Sequence, residues 1–347
     1  MKKIKNLKIK SWVLTQLKKP LEEKSLKISE LKEGQFLIKI IFTGFCASQY
    51  GEINGVKGKD KYLPHCLGHE AVGIVVSKNS KKLIFENDYV VLHWMKSSGV
   101  DCKPISYLAE NNKKINSGMI TTFGNYAVIS ENRITKINPQ KKDLINYTLL
   151  GCSIPVGIST VEKIIKAKKN DRILLIGSGA IGLPIIHYCK TQKIKIDIIE
   201  IRNRSIKLAK IFGCNKVYRN IDNKSLIKNL ETSFYDHVVD TSGSSKLIEE
   251  IIRKIKPKVN ICLIGVAKNK ELIKIDPMKI NYGMKIVGSY GGDFNPDKDI
   301  GNFFNFLKKT KFKFNLYIDK VYDIKEMNNL VNDFKNKKIF GKTILKI

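Results

Sequence analysis

The sequence predicts a two-part α/β protein, in which a β-rich part is followed by a doubly wound parallel sheet. Three observations predict this arrangement: a length of 347 residues, short β-rich segments in the first 150 residues, and an alternation of helix and strand patterns after residue 156. A chain of this length exceeds one ordinary domain, and 43% hydrophobic residues can fill two cores.

The first part is typical of short strands separated by turns. β-branched and aromatic residues concentrate in four segments, with glycine, asparagine, lysine or proline between them. The predicted strands are 36–42, 71–77, 89–93 and 126–130.

The second part alternates between strand and helix patterns. Residues 172–176 form an apolar run bounded by glycine, as expected for a strand buried on both faces of a parallel sheet. Further strands are predicted at 194–200, 237–240, 260–265, 285–289 and 343–347, and helices at 180–191, 205–212, 298–309 and 325–337. This is the doubly wound pattern, so we expect residues 156–290 to form one domain and residues 1–155 with 291–347 to form the other.

A glycine loop joins the first strand and helix of the second part. Gly177, Gly179 and Gly182 form a G-x-G-x-x-G pattern that also contains Ala180 and Ile181. Its glycines permit a tight turn, the approach of a pyrophosphate to the backbone, and close packing of helix on strand. The pattern predicts a dinucleotide site, to which Gly265 and Val266, after a later strand, are also assigned.

Glu200 ends the next strand, about 20 residues after the loop, where a ribose-binding carboxylate is expected. A carboxylate accepts hydrogen bonds from ribose hydroxyls and repels a 2′-phosphate, which favours NAD over NADP. Arg202 and Arg204 follow closely and would attract that phosphate, or they are solvated residues at a helix start. The sequence therefore favours NAD and leaves NADP as the alternative.

Three residues before the glycine loop suit a catalytic zinc ion. Cys46 follows a β-rich run, His69 lies in a Gly-His-Glu segment, and Cys152 follows Gly151. Two thiolates and one imidazole leave the fourth tetrahedral position open, as a catalytic zinc requires. Each residue alone has an ordinary structural interpretation, and the prediction depends on their conjunction.

These motifs resemble the zinc-dependent alcohol dehydrogenases of the medium-chain dehydrogenase/reductase superfamily. The resemblance extends from Cys46–Ser48 to the segment Gly341–Leu345. It implies a GroES-like catalytic domain, a Rossmann domain, and a homodimer or homotetramer. It also implies that Cys46, His69 and Cys152 hold zinc, which is the family's Cys₂His set.

The resemblance also implies roles for three further residues. Ser48 would take the substrate hydroxyl proton, Glu70 would act beside the metal, and Lys342 would face the cofactor pyrophosphate. The expected reaction moves hydride between a zinc-bound alcohol and NAD, with a polyol or a sugar derivative as the expected substrate.

The chain departs from the family pattern in three places. Residues 93–122, where many relatives have four cysteines for a structural zinc, contain only Cys102, so we expect one catalytic zinc and no structural one. Gln49 replaces a common aspartate, and its amide is expected to accept a hydrogen bond from a ligand imidazole. Gly51 replaces a histidine of the proton relay, so protons must leave by another route.

Other polar and aromatic residues of the first part are candidates for lining the substrate pocket. For each of them, packing in the core or on the surface is at least as good an interpretation. They are Tyr50, His65, His93, Trp94 and Thr122.

Composition excludes some partners. The net charge is +31, but the lysines are scattered, and no nucleic-acid motif is visible. No apolar run reaches the roughly 18 residues that span a bilayer. The seven cysteines show no disulfide pattern, and the basic start leads into no apolar signal core, so we expect a soluble cytoplasmic protein without membrane or specific nucleic-acid partners.

Two alternatives remain at this stage. A zinc-independent reductase of the same superfamily would reduce enones or quinones with NADPH. A basic nucleic-acid-binding protein would show salt-dependent binding without turnover. The positive field is also compatible with an anionic substrate.

Overall fold

The computed structural model describes residues 7, 9–28, 30–219, 230 and 234–347. The chain divides into two compact units. The first contains Met1–Cys152, Asn295–Lys309 and Ile318–Ile347, and the second contains Ser153–Phe294 and Thr310–Tyr317. The second unit thus begins at 153, where residue 156 was predicted, and it includes residues 291–294 and 310–317, which were predicted to belong to the other domain.

The first unit is built from twelve described strands. Five of them close a small barrel in the order β1-β2-β7-β8-β4, and seven form a sheet in the order β10-β6-β5-β3-β18-β17, with β9 also paired to β3. The strands are β1 (Ile9–Leu14), β2 (Glu22–Lys27), β3 (Gln35–Phe45), β4 (His65–Cys66), β5 (Ala71–Asn79), β6 (Tyr89–Leu92), β7 (Ser106–Ala109), β8 (Lys114–Asn116), β9 (Tyr126–Ser130), β10 (Ile134–Ile137), β17 (Ile318–Asp323) and β18 (Lys342–Lys346).

The long strand β3 organises this unit. It pairs antiparallel with β5, β9 and β18, so the end of β3 lies beside the start of β5 and the start of β18. Its apolar residues enter a core that includes Phe36, Ile38 and Ile40. Burial of this apolar surface stabilises the sheet and fixes the register of the strand ends.

Helices of the first unit are mostly short. The α-helices are Ala47–Ile53, Leu144–Thr148, Pro296–Lys309 and Met327–Lys335, and 3₁₀ turns cover Glu131–Arg133, Lys141–Asp143, Leu149–Gly151 and Ile324–Glu326.

The second unit contains a six-stranded parallel sheet in the order β13-β12-β11-β14-β15-β16. The strand order reverses between β11 and β14, and the carboxyl ends at such a point form the crevice in which nucleotides bind. The strands are β11 (Arg172–Ile176), β12 (Lys195–Glu200), β13 (Lys216–Arg219), β14 (His237–Asp240), β15 (Asn260–Leu263) and β16 (Lys285–Gly288).

Helices and helical turns connect the strands of the second unit. The α-helices are Ser153–Ser159, Gly182–Thr191, Asn203–Phe212, Ser245–Lys254, Pro277–Asn281 and Phe314–Tyr317, with a π-helical turn at Thr160–Ile164 and a 3₁₀ turn at Gly291–Asp293. The predicted α/β class, in which a β-rich part accompanies a doubly wound parallel sheet, is confirmed.

Within the described residues, no single helix is both long and apolar enough to cross a membrane.

Candidate active site

Two paired strand ends bring two of the predicted ligands together in the first unit. Cys46 directly follows β3, and His69 and Glu70 directly precede β5, while β3 and β5 pair antiparallel. The register places Thr43 opposite Ala71. Residues 23 or more positions apart in sequence therefore meet at one edge of the sheet because of strand pairing.

Gly151 allows Cys152 to reach the same edge. A side chain at position 151 would overlap the carbonyl oxygen of Leu92 and lie 2.7 Å from Cβ of Glu70. Leu92 is paired with Ala71 across the β5–β6 ladder. Only glycine permits this approach, so the Gly-Cys pair is required for the thiol of Cys152 to lie beside the other two ligands.

The ligand atoms of Cys46, His69 and Cys152 lie within 4.8 Å of one another. Cys152 is buried, and the other two are half-buried. A hydrogen bond from Cys152 and the nearby Lys342 and His69 lower the pKa of the Cys46 thiol well below its usual range, against the effect of burial. The same hydrogen bond, together with burial, raises the pKa of Cys152.

The pKa of His69 depends on the same neighbouring groups. Burial disfavours its imidazolium, but a hydrogen bond to Cys46 and the charges of Cys46 and Glu70 outweigh this and raise the pKa of His69. The short distances among these two thiols and one imidazole place three electron-pair donors around one point, which is an arrangement that a metal ion can complete.

Glu70 and Lys342 form a fully buried ion pair next to these ligands. The Lys342 ammonium donates to Oε1 of Glu70, while Oε2 of Glu70 is buried and has no hydrogen-bond partner among the described residues. Burial raises the pKa of Glu70, against the charges of Lys342 and His69. The structure thus places Lys342 on Glu70, and its expected contact with the cofactor pyrophosphate stays a prediction.

These residues fit a catalytic zinc ion. Two sulfur atoms and one imidazole nitrogen are the donor types that zinc prefers, and three protein ligands leave one coordination position for substrate or water. Glu70, which directly follows the ligand His69, has a buried Oε2 atom without a hydrogen-bond partner among the described residues.

Ser48 and Gln49 begin the helix Ala47–Ile53 that follows Cys46. Ser48 is half-buried. The amide oxygen of Gln49 accepts a hydrogen bond from the backbone N–H of Gly68 at 2.5 Å, and its nitrogen donates to Glu52 at 3.1 Å. Gln49 therefore supports the backbone beside His69 and does not accept the expected hydrogen bond from an imidazole.

The glycine loop of the second unit has the expected backbone. Gly177 adopts φ +87°, which only glycine takes readily, and a side chain at Gly182 would lie 2.5 Å from the carbonyl oxygen of Gly177. The space beside Gly179 is open: a Cβ atom placed there would have only Nη2 of Arg202 nearby, at 3.9 Å. Ala180 and Ile181 continue the loop into the helix Gly182–Thr191. The loop leaves room for a group above Gly179.

Glu200 is buried at the carboxyl end of β12 and supports the glycine loop. Its Oε2 accepts from the N–H and the hydroxyl of Ser178, and its Oε1 accepts from the N–H groups of Ile201 and Arg202. Burial opposes its ionisation, but Arg202 and these backbone donors lower the pKa of Glu200. Glu200 therefore carries a negative charge at neutral pH.

Gly265 and Val266 lie beside a loop that the sequence analysis missed. A side chain at Gly265 would lie 2.7 Å from Cα of Gly243, and Val266 is exposed. Asp240, at the end of β14, accepts hydrogen bonds from the N–H groups of Ser242 and Gly243 and so shapes this loop. The signal that could have identified this loop is Asp240, which ends a buried strand directly before Thr-Ser-Gly.

A separate polar cluster of the first unit includes residues at the start of segment 93–122, which contains Cys102. The ammonium of Lys82 donates to the carbonyl oxygens of Ser98, Glu131 and Ile134 at 2.9 to 3.1 Å and lies 3.6 Å from Asp297. Asp297 accepts from Ser98 and Thr135, and Thr135 contacts the buried imidazole of His93. We name Lys82, His93, Ser98, Thr135 and Asp297 the Lys82 cluster.

His93 and Cys102 have partners inside this part of the fold. Nδ1 of His93 lies 2.7 Å from the carbonyl oxygen of Met95, and burial lowers the pKa of His93 to about 4. The thiol of Cys102 donates to the carbonyl oxygen of Glu33 at 3.1 Å. His93 thus packs as a neutral core residue, and the expected lack of a structural zinc stays a prediction.

Comparison with known proteins supports the assignment of both units. The family model described as "Alcohol dehydrogenase GroES-like domain" matches residues 32–139, and the one described as "Zinc-binding dehydrogenase" matches residues 180–309.

Similar proteins cover nearly the whole chain. An alcohol dehydrogenase class-3 from Zea mays is 24% identical over 92% of this chain and 92% of its own length. An alcohol dehydrogenase from Geobacillus stearothermophilus is 24% identical over 98% and 99%. The crystal structure of benzyl alcohol dehydrogenase from Acinetobacter calcoaceticus has the same fold, with a TM-score of 0.84, 22% identity and coverage of 98% and 99%.

The two matched domains, the conjunction of Cys46, His69 and Cys152, and the glycine loop lead to one assignment: the chain belongs to the zinc-dependent alcohol dehydrogenase family of the medium-chain dehydrogenases/reductases.

Proposed function

We propose that this protein oxidises an alcohol reversibly, with one zinc ion held by Cys46, His69 and Cys152 and with NAD as the hydride acceptor. The observation that carries the proposal is the approach of the three ligand atoms to within 4.8 Å of one another. When bound, zinc supplies Lewis-acid activation of the alcohol oxygen.

The residues around the ligands have separate tasks in this proposal. Ser48, half-buried in the helix that follows Cys46, takes the substrate hydroxyl proton and passes it on. Glu70 places a buried carboxyl group beside the ligands, and Lys342 holds it in position and favours its ionised form. Because Gly51 has no side chain, the proton leaves Ser48 through the cofactor ribose or through water.

NAD is the proposed cofactor because Glu200 is ionised at the carboxyl end of β12. Its charge disfavours a 2′-phosphate near the same strand end. Arg202, with 37% of its side chain exposed, is the residue that would favour NADP. Glu200→Gln is expected to raise the ratio of kcat/KM for NADP to kcat/KM for NAD, and Arg202→Gln is expected to lower this ratio. A ratio that is the same in both variants would contradict this role.

The proposed substrate is a polyol or a sugar derivative, and an anionic one is favoured by the net charge of +31. Lys57, Lys59 and Lys61 are exposed on the segment that leads to His69 and add positive charge there. Increasing ionic strength is expected to raise KM for a phosphorylated substrate more than for a neutral polyol.

The experiment for the proposed activity is a screen for NADH formation. Simple alcohols, polyols and sugar phosphates are offered with NAD, and the corresponding carbonyl compounds are offered with NADH. Turnover that is lost in Cys46→Ser supports the proposal. Turnover of enones with NADPH that survives in Cys46→Ser would contradict it.

We also propose that the chain forms a homo-oligomer through β16. This strand ends the sheet order among the described residues, and Ile280, Tyr282 and Val287 are exposed near it. An unpaired strand edge with exposed apolar side chains favours pairing with a second copy. Val287→Lys is expected to lower the mass measured by light scattering, and an unchanged mass would contradict this interface.

A further inference from the structure

A second group of possible metal ligands lies in the first unit, apart from the cysteines. A carboxylate oxygen of Glu52, a carboxylate oxygen of Asp60 and a ring nitrogen of His65 lie within 4.8 Å of one another. We name these three residues the His65 cluster. The His65 side chain is only 8% exposed, and that of Asp60 is 14% exposed.

The two ring nitrogens of His65 both face oxygen atoms. Nδ1 lies 2.9 Å from the carbonyl oxygen of Cys66, so Nδ1 carries a proton and donates it. Nε2 lies 2.8 Å from Oδ2 of Asp60. A neutral imidazole would then direct its lone pair at a carboxylate, and a cation must relieve this contact, either as a second proton on the ring or as a metal ion.

The carboxylates are held in place by neutral donors. Oδ1 of Asp60 accepts from the N–H of Tyr62 at 2.8 Å, and Glu52 accepts from the amide of Gln49 at 3.1 Å. Lys57, Lys59 and Lys61 lie on the same segment and are exposed, yet among the described residues no lysine forms an ion pair with Glu52 or Asp60. Two negative charges thus converge on one imidazole nitrogen without a lysine partner.

We propose that the His65 cluster binds a divalent transition-metal ion such as Zn²⁺. One imidazole nitrogen and two carboxylate oxygens are ligands that such an ion takes, and a backbone carbonyl on the other ring nitrogen is the usual support for a metal-binding histidine. An imidazole ligand disfavours Mg²⁺ and Ca²⁺, which prefer oxygen.

The bound ion would fix the segment that leads to His69. Gln49 joins the cluster to this segment, because it donates to Glu52 and accepts from the N–H of Gly68. Metal binding is therefore expected to stabilise residues 52–68. This inference goes beyond the proposed function and does not depend on it.

The first test counts metal on the holoenzyme. Isothermal titration with Zn²⁺ is expected to show one further equivalent per chain in the wild type and in the control Glu110→Gln, which changes an exposed carboxylate. His65→Gln and the near-isosteric Asp60→Asn are expected to lose this equivalent and to keep the cysteine-bound one. No further equivalent in the wild type, or its persistence in both folded variants, would overturn the proposal.

The second test measures protection of the segment. Trypsin cleaves after lysine, and the exposed Lys57, Lys59 and Lys61 are its targets. Zn²⁺ added to the holoenzyme at about 100 times its dissociation constant is expected to slow this cleavage at least about tenfold in the wild type and not in Asp60→Asn. Equal cleavage rates with and without Zn²⁺ in the wild type would overturn the proposal, whatever the result of the alcohol screen.

Discussion

The group around Cys46 and the Lys82 cluster are both polar groups of the first unit, but they differ in how their atoms are paired. In the Lys82 cluster, one ammonium meets three carbonyl oxygens and a carboxylate, so donors meet acceptors. Around Cys46, two thiols and an imidazole direct lone pairs at one point, and Oε2 of Glu70 has no partner among the described residues. The donors and acceptors of the first group satisfy one another, whereas the second group offers a set of donor atoms that could hold a metal ion.

This difference separates a structural role from a catalytic one. Changes in the Lys82 cluster are expected to lower stability and to leave turnover intact. Changes around Cys46 are expected to lower turnover, and the Glu70–Lys342 pair should affect both properties because it is fully buried beside the ligands.

The largest effect is expected for the loss of a ligand. Cys152→Ser should lower kcat/KM by about 10³-fold or more, since metal activation contributes several kcal/mol to the transition state. The matched control is Cys102→Ser, because its hydroxyl can still donate to the carbonyl of Glu33. Equal activity of both variants in the assay of NADH formation would show that Cys152 is not a ligand.

The next effect concerns the buried ion pair. Lys342→Met leaves Glu70 charged and unpaired, so the free energy of unfolding should fall by about 3–5 kcal/mol. Lys346→Met, on the exposed part of β18, is the control and should change little. Adding Glu70→Gln to Lys342→Met should recover much of the stability in urea unfolding. No recovery would mean that the loss comes from packing and not from the unpaired charge.

A smaller effect is expected in the Lys82 cluster. Lys82→Met removes a donor from three carbonyl oxygens, which should cost about 1–3 kcal/mol of unfolding free energy and leave kcat within about twofold. Lys81→Met, its exposed neighbour, serves as the control. A large fall in kcat with unchanged stability would place this cluster in the catalytic machinery.

The smallest expected effect is a dependence of the free energy of unfolding on pH, caused by His93. The pKa of His93 is about 4 in the fold, whereas an unfolded histidine has a pKa of about 6.5. Between these values the unfolded chain binds more protons, so stability falls as the pH falls. From pH 7 to pH 5 this loss is about 2 kcal/mol, and it should be absent from the pH dependence of His93→Gln. Parallel unfolding curves against pH for both proteins would contradict the buried neutral state of His93.

Much of the second unit was predictable because its strands are continuous apolar runs. Its strands at 172–176 and 237–240 have the predicted bounds, as does 126–130 in the first unit, and other predicted elements differ by a few residues at their ends. β2 was missed because only Leu26 of its six residues is buried, so its sequence lacks an apolar pattern. The short, half-exposed strands β7 and β8 have no clearer apolar pattern in their sequences than β2 has.

The ligands of the candidate site were predictable from the sequence, but the contacts that position them were not. Sequence motifs identify Cys46, His69 and Cys152 one at a time. The pairing of Glu70 with Lys342 joins residues 272 positions apart, and it follows from the register of β3 with β5 and β18. The role of Gly151 likewise depends on the carbonyl of Leu92, which no local pattern reveals.

The most direct test of the central claim is the amount of zinc lost when one thiolate ligand is removed. Elemental analysis would compare the wild type with Cys152→Ser and with the control Cys102→Ser, all purified without added metal or chelator. If Cys152 is a zinc ligand, Cys152→Ser contains about one zinc ion per chain less than the other two proteins. Equal zinc contents in all three folded proteins would contradict it.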